Sequence, residues 1–73
     1  MAKARLAKKI TDDGLIEVGD DIEIGKIYDI DLTTIKMARG INTVKNQEWE
    51  REIVYMTNAD ETGWFPTELL EVL

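Results

Sequence analysis

The sequence predicts an all-β fold, a small antiparallel barrel with a short helical turn before its last strand. Residues 27–32, Ile-Tyr-Asp-Ile-Asp-Leu, alternate and put Tyr28, Ile30 and Leu32 on one face, which is the period of a half-buried strand. Short apolar runs are separated by clusters of Gly, Asp, Asn and Thr, with no long run of helical period. Near the end, Pro66-Thr67-Glu68 sits between Trp64-Phe65 and Leu69-Leu70-Glu71-Val72. Proline presets φ there for one tight helical turn between two strands.

The elements follow in order. Ala2, Ala4, Leu6 and Ile10 recur among Lys and Arg, and the period of two predicts a first strand over residues 2–10. The same residues are good helix formers; the absence of a preceding cap and the β context decide for the strand. Thr11-Asp12-Asp13-Gly14 is turn chemistry, because Asp favours early turn positions and Gly supplies positive φ. Residues 15–18 read as a short extended piece, broken by Gly19-Asp20-Asp21. Ile22-Glu23-Ile24 alternates and Gly25-Lys26 interrupts it. From Ile27 the strand continues through Thr33-Thr34-Ile35-Lys36-Met37 to a turn at Ala38-Arg39-Gly40. Residues 41–47 are either a short strand with a loop or one long loop. Residues 48–56 form the next strand, residues 57–63 a polar hairpin loop ending in Gly, and Trp64-Phe65 pairs back. The expected core is Leu6, Ile22, Ile24, Tyr28, Ile30, Val54, Met56, Phe65, Leu70 and Val72.

Composition narrows the chemistry. With 73 residues the chain is read as a single domain, residues 1–73, of a size that buries only about 60% of its unfolded surface. It contains neither Cys nor His, so disulfides, the usual zinc sites and most nucleophilic triads are excluded. No metal, cofactor or catalytic residue is expected. No stretch reaches the ~18 apolar residues of a membrane span, and no apolar run follows the basic N-terminus, so neither membrane insertion nor a secretory leader is expected. Net charge is −6, unevenly placed: Lys3, Arg5, Lys8 and Lys9 are the only charges in the first nine residues, leaving −10 on the remainder. Such a surface repels phosphate backbones and attracts basic partners.

The last eleven residues, Gly63-Trp64-Phe65-Pro66-Thr67-Glu68-Leu69-Leu70-Glu71-Val72-Leu73, resemble the end of a Src-homology-3-type barrel. Gly25-Lys26-Ile27-Tyr28-Asp29-Ile30 resembles that family's strand after its long first loop. Trp49 stands where the family has the Trp opening the strand before the last hairpin. The resemblance covers most of residues 22–73 and implies a five-stranded Src-homology-3-like barrel. The family's aromatic groove for Pro-rich peptides is not matched: residues 4–10 hold no aromatic, Leu69 replaces the C-terminal Tyr, and only Trp49 and Pro66 of that groove remain. The same two motifs, Gly25-Lys26-x-Tyr28 and Gly63-Trp64-Phe65-Pro66, are similar to those of small acidic phage and prophage barrel proteins. That similarity implies a bacterial-cytoplasmic or virion-associated protein.

The candidate sites are for a partner. Trp49, Trp64 and Tyr55 are read as an aromatic patch, since Trp and Tyr dominate interface hot spots. Asp12, Asp13, Asp20, Asp21 and Glu23 are read as an acidic first loop that steers a basic protein. The spacing is not that of a calcium loop. Asp29 and Asp31 share a strand face without a nucleophile beside them, so acid–base catalysis is not expected. The resulting expectation is a non-enzymatic protein-interaction module, monomeric or weakly self-associating. The alternatives are a nucleic-acid-binding barrel using Lys3, Arg5, Lys8, Lys9, Lys36, Arg39 and Lys45, and a structural subunit that completes its sheet in an assembly.

Overall fold

The computed structural model describes residues 2–19, 22–58 and 61–73, with the side chains of Asn58, Glu61 and Thr62 left aside. The chain is all-β. Its elements are β1 (Ala2–Leu6), β2 (Ile27–Asn42), β3 (Gln47–Asn58), β4 (Glu61–Pro66), a 3₁₀ turn (Thr67–Leu69) and β5 (Leu70–Val72). All five strands are antiparallel in one sheet of order β4-β3-β2-β1-β5, with β4 and β5 as its edges.

The longest strand shows how sequence sets this architecture. Tyr28 and Ile30 point into the core while Asp29 faces out and pairs with Lys3 at 2.6 Å. The register with β3 then slips: Asp31 lies opposite Tyr55, but Lys36 lies opposite Ile53. The extra residues are held by a local turn, in which the Thr33 amide and hydroxyl donate to Asp31 Oδ1 and Thr34 Oγ1 donates to the Asp31 carbonyl. The Tyr55 amide donates to Thr34 Oγ1, so a side chain replaces the missing ladder partner. Such an irregularity bends a strand, and it carries Leu32 out to the surface.

Beyond the bend, β2 and β3 continue as a two-stranded ribbon to Asn42 opposite Gln47. The turn expected at residues 38–40 is absent. β-branched residues favour extension, and Gly40 is required for another reason: the Trp49 indole lies across it. The chain reverses instead at residues 43–46, where Asn42 Oδ1 accepts the Lys45 amide and Asn46 takes a left-handed φ of 54°. The loop expected over residues 57–63 is likewise mostly ladder, since Thr57 faces Thr62 and Asn58 faces Glu61.

One cluster forms the core: Ala4, Leu6, Ile22, Tyr28, Ile30, Val54, Met56, Phe65 and Leu69. The expectation differs at three places. Ile24 is 60% exposed because it belongs to the turn at Gly25, whose φ of 89° aims the backbone, not the side chain, inward: the Gly25 amide donates to the Leu6 carbonyl. Val72 shares a face with Ala4 but lies on the edge strand near the chain end, and is 59% exposed. The 3₁₀ turn shifts the closing phase by one residue, so Leu69 is fully buried and Leu70 only partly. The helical turn itself spans Thr67–Leu69, with Pro66 extended before it at φ −59°, ψ 131°. β1 also stops at Leu6, short of the expected residue 10, which makes only an isolated bridge with Glu17.

Candidate functional site

The face of the sheet opposite the core carries the candidate residues. Alternation along β3 puts Trp49, Arg51, Ile53 and Tyr55 on it, and their ladder partners Gly40, Ala38, Lys36, Pro66 and Trp64 join them. Trp64 is 46% exposed although it is the largest side chain type. Its ring meets that of Tyr55 edge to face, at 5.3 Å and 70°. Lys36 Nζ sits 4.5 Å from the Trp64 ring centroid, a cation–π distance. Pro66 is buried opposite Ile53, two residues along β4 from Trp64.

Trp49 is on the same face but not in the same patch. It lies six residues from Tyr55 on β3, roughly 20 Å at 3.3 Å per residue. There it is half-buried, and a Cβ at Gly40 would stand 2.6 Å from Trp49 Cε2 and closer still to Cζ2. The three aromatics therefore divide into a Tyr55–Trp64 pair and a separate Trp49 over Gly40.

The first loop, residues 7–26, reaches over this face. Thr11 is buried at its base; its hydroxyl donates to Asp13 Oδ1 and accepts from the Ile16 amide. Asp13 Oδ1 also accepts the Leu15 amide, and Gly14 takes a φ of 73° to close the tip. Arg51 holds the loop down: its guanidinium pairs with Asp13 and, through Nε, with Glu68 Oε1 at 2.8 Å. At the far end, Asn42 Nδ2 donates to the Leu15 carbonyl, so the tip touches the ribbon. Arg51 escapes a sequence reading because Glu48, Glu50 and Glu52 surround it and make it look like solvated charge. Its only signal is that it is the one cation in that run.

The acidic candidates differ in what they touch. Asp12 pairs with Lys8 at 2.7 Å, which holds the Asp12 carboxyl below its ordinary range and raises Lys8 above its own. Asp13 is engaged with Arg51. Asp20 and Asp21 lie outside the described residues. Glu23 is exposed. Asp31 is held below the usual carboxylate range, first by the Thr33 hydroxyl and then by its amide. Among the described residues no group of three or more acidic side chains is arranged to hold a metal ion, and no helix is long and apolar enough to cross a membrane.

The cations considered for nucleic acid are also largely committed. Lys3 pairs with Asp29, Arg5 with Glu71, Lys8 with Asp12 and Arg39 with Glu50, while Lys36 covers Trp64. Comparison of the chain with protein-family models, with curated proteins and with solved structures finds no match.

Proposed function

We propose that the chain is a non-enzymatic protein-interaction module built on a Src-homology-3-like barrel. The barrel reading is supported by the strand order, the long first loop between β1 and β2, the bend within β2 and the 3₁₀ turn between β4 and β5. It is supported too by a single core cluster that draws on β1, β2, β3, β4 and the 3₁₀ turn. The Gly25-Lys26-x-Tyr28 and Gly63-Trp64-Phe65-Pro66 motifs favour a phage or prophage origin, and with it a bacterial-cytoplasmic or virion-associated location.

The observation that carries the function is the Tyr55–Trp64–Lys36 cluster. A large indole is left half-exposed, yet it is fixed by an edge-on ring and an overlying ammonium on the part of the sheet with a ladder on both sides of β3. An anchor of this kind binds with little ordering cost, because it is already in place. The partner is read as a basic protein, since net charge −6 favours its approach, and the exposed acids Glu17 and Glu23 of the first loop add to that field. Trp49, half-buried over Gly40 on the same face, is a separate second contact of the module. Pro66, two residues along β4 on the same face, is buried and adds little exposed surface to the cluster.

Affinity capture from bacterial lysate tests this. Wild type is compared with Trp64→Ala and with a charge-reversed Glu17→Lys, Glu23→Lys variant, at low and high salt. A protein held by wild type at high salt, lost with Trp64→Ala and weakened by charge reversal, is the expected result. Capture that is indifferent to Trp64 and abolished by modest salt would show nonspecific charge attraction and overturn the reading.

A further inference from the structure

The β2–β3 ribbon leaves a strand edge open. Among the described residues, β1 pairs with β2 only at residues 27–30, and residues 36–42 of β2 pair with β3 alone. The Tyr55 amide points toward β2, to Thr34, while the Glu52 carbonyl points to the other side, toward Thr67. Alternation along β3 then makes Ile53, Arg51, Trp49 and Gln47 the residues that exchange ladder bonds with Lys36, Ala38, Gly40 and Asn42. The backbone groups of Met37, Arg39 and Ile41 therefore point out along the open edge.

This edge carries charge at Lys36 and Arg39, but the other usual protections are missing among the described residues. It has no Pro, and it carries exposed aliphatics, with Met37 60% and Ile41 54% accessible. The other ribbon edge is treated differently: Arg51 Nη1 donates to the Glu50 carbonyl and Thr67 Oγ1 lies against the Glu52 carbonyl. An isolated two-stranded ribbon is marginal in water, and addition of strands along the open side relieves that.

We propose that this edge pairs antiparallel with the same edge of a second copy, with Ala38 on the twofold axis. In that register Met37 faces Arg39, Lys36 faces Gly40, Ala38 faces Ala38, and Ile35 and Ile41 meet at the ends. No like charges stand directly opposite, and the smallest side chain lies at the closest approach, whereas a shift that centres Arg39 sets two guanidiniums face to face. Stacking on the ribbon's core-side face is disfavoured, because Glu48, Glu50 and Glu52 line it beside Met37 and Ile41 and would meet their own copies. On the opposite face, the first-loop tip is hydrogen-bonded to Asn42. Edge-on pairing satisfies all three constraints. The contact is small, below the ~1,200 Å² of standard interfaces, so the dimer is a weak one. It uses the strand edge rather than the exposed Trp64 ring and does not rest on the function proposed for that ring.

The test uses the absence of native cysteine. Facing Ala38 residues form a non-hydrogen-bonded pair about 4.5 Å apart at Cα, within disulfide reach. Ala38→Cys is expected to oxidise to a covalent dimer at least tenfold faster than Val44→Cys, although Val44 is 93% exposed. Light scattering on wild type is expected to show mass rising above 8.3 kDa with concentration. Met37→Pro removes an outward amide without touching the β3 ladder, and Met37→Lys adds a charge at the same place; each should hold the protein monomeric with its β circular dichroism intact. A wild type that stays monomeric up to ~1 mM, where even weak association registers, overturns the proposal. So does an Ala38→Cys variant that oxidises no faster than Val44→Cys, or a dimer undiminished in a folded Met37 variant.

Discussion

Replacing Gly40 by Ala sets two opposed effects against each other, and the structure decides the sign. In a strand interior, Gly is less favourable than Ala by about 0.5–1 kcal/mol, so on backbone grounds alone the substitution stabilises. The Trp49 ring opposes it. A Cβ at position 40 would lie 2.6 Å from Cε2 and 3.1 Å from Cη2, where ordinary contacts begin near 3.4 Å. Those are rigid ring atoms, so the whole indole must swing off β2, an overpacking cost of about 1–3 kcal/mol. The net is a loss centred near 1 kcal/mol and reaching about 2.5 kcal/mol, or roughly 4–8 °C in Tm at the centre for a domain of this size. Thermal unfolding by circular dichroism measures it. A Trp64→Phe background leaves Trp49 as the only indole, and its emission should shift red as the ring becomes exposed. In a Trp49→Ala background, Gly40→Ala should be neutral or stabilising, which closes a double-mutant cycle. A rise in Tm for the single variant, or the same change in both backgrounds, would refute the packing of Trp49 on Gly40.

Leu69→Ala, at a fully buried side chain, should cost about 2–5 kcal/mol by urea denaturation, whereas Val72→Ala on the exposed edge should cost under ~1 kcal/mol; equal effects would move the core boundary. Arg51→Met leaves Asp13 and Glu68 without their shared cation; a loss of about 1–2 kcal/mol and faster amide exchange at Leu15 and Ile16 are expected, the exchange being the part a generic packing defect would not localise. The Lys8–Asp12 pair gives a pH signature. Asp12 and Asp31 have folded pKa values below 3.8, so their contribution is present above that value and lost as pH falls through the lowered folded pKa. Lys8 lies above 10.5 when folded, so its contribution is present below that value and lost as pH rises through the raised one. Lys8→Gln should reduce both the alkaline and the acid loss in a Tm profile against pH.

Much of the fold is legible because alternation reports a face directly. Period two alone places Tyr28, Ile30, Val54, Met56 and Phe65 in the core, and they are there. The misplacements occur where phase changes without a sequence mark. A 3₁₀ turn of three residues exchanges Leu69 for Leu70, and the slip between Asp31 and Lys36 turns Leu32 outward. Gly40 reads as a turn because Gly commonly breaks strands, but here it makes room for a ring that arrives from the facing strand, a long-range cause that local propensity does not contain. At the candidate site, residue types point to Trp49, Trp64 and Tyr55 but not to their separation, which depends on a ladder register invisible in composition. The pairing of Asp13 is hidden for the same reason, since Arg51 is 38 positions from it in the numbering, whereas Asp12 pairs locally with Lys8, four positions away.

The two proposed surfaces lie on opposite sides of one ribbon, and that has a consequence for binding. Sheet order places β4, with Trp64, on one side of β3, and the open edge of β2 on the other. Self-pairing through β2 therefore leaves both Trp64 rings free and joins them in one twofold object. A partner with repeated sites, such as the surface of an assembly, would meet two anchors at once and bind more tightly than either alone, by an effective-concentration gain of about 10²–10⁴. A monomeric partner would gain nothing. Lys36 connects the two surfaces physically, because its backbone lies in the pairing segment and its ammonium covers Trp64. Comparing Met37→Pro with wild type on a surface-immobilised and on a soluble monovalent form of the captured partner separates the effects. A loss confined to the immobilised form is avidity through the dimer; an equal loss on both would place Met37 in the partner contact itself and remove the division between the two surfaces.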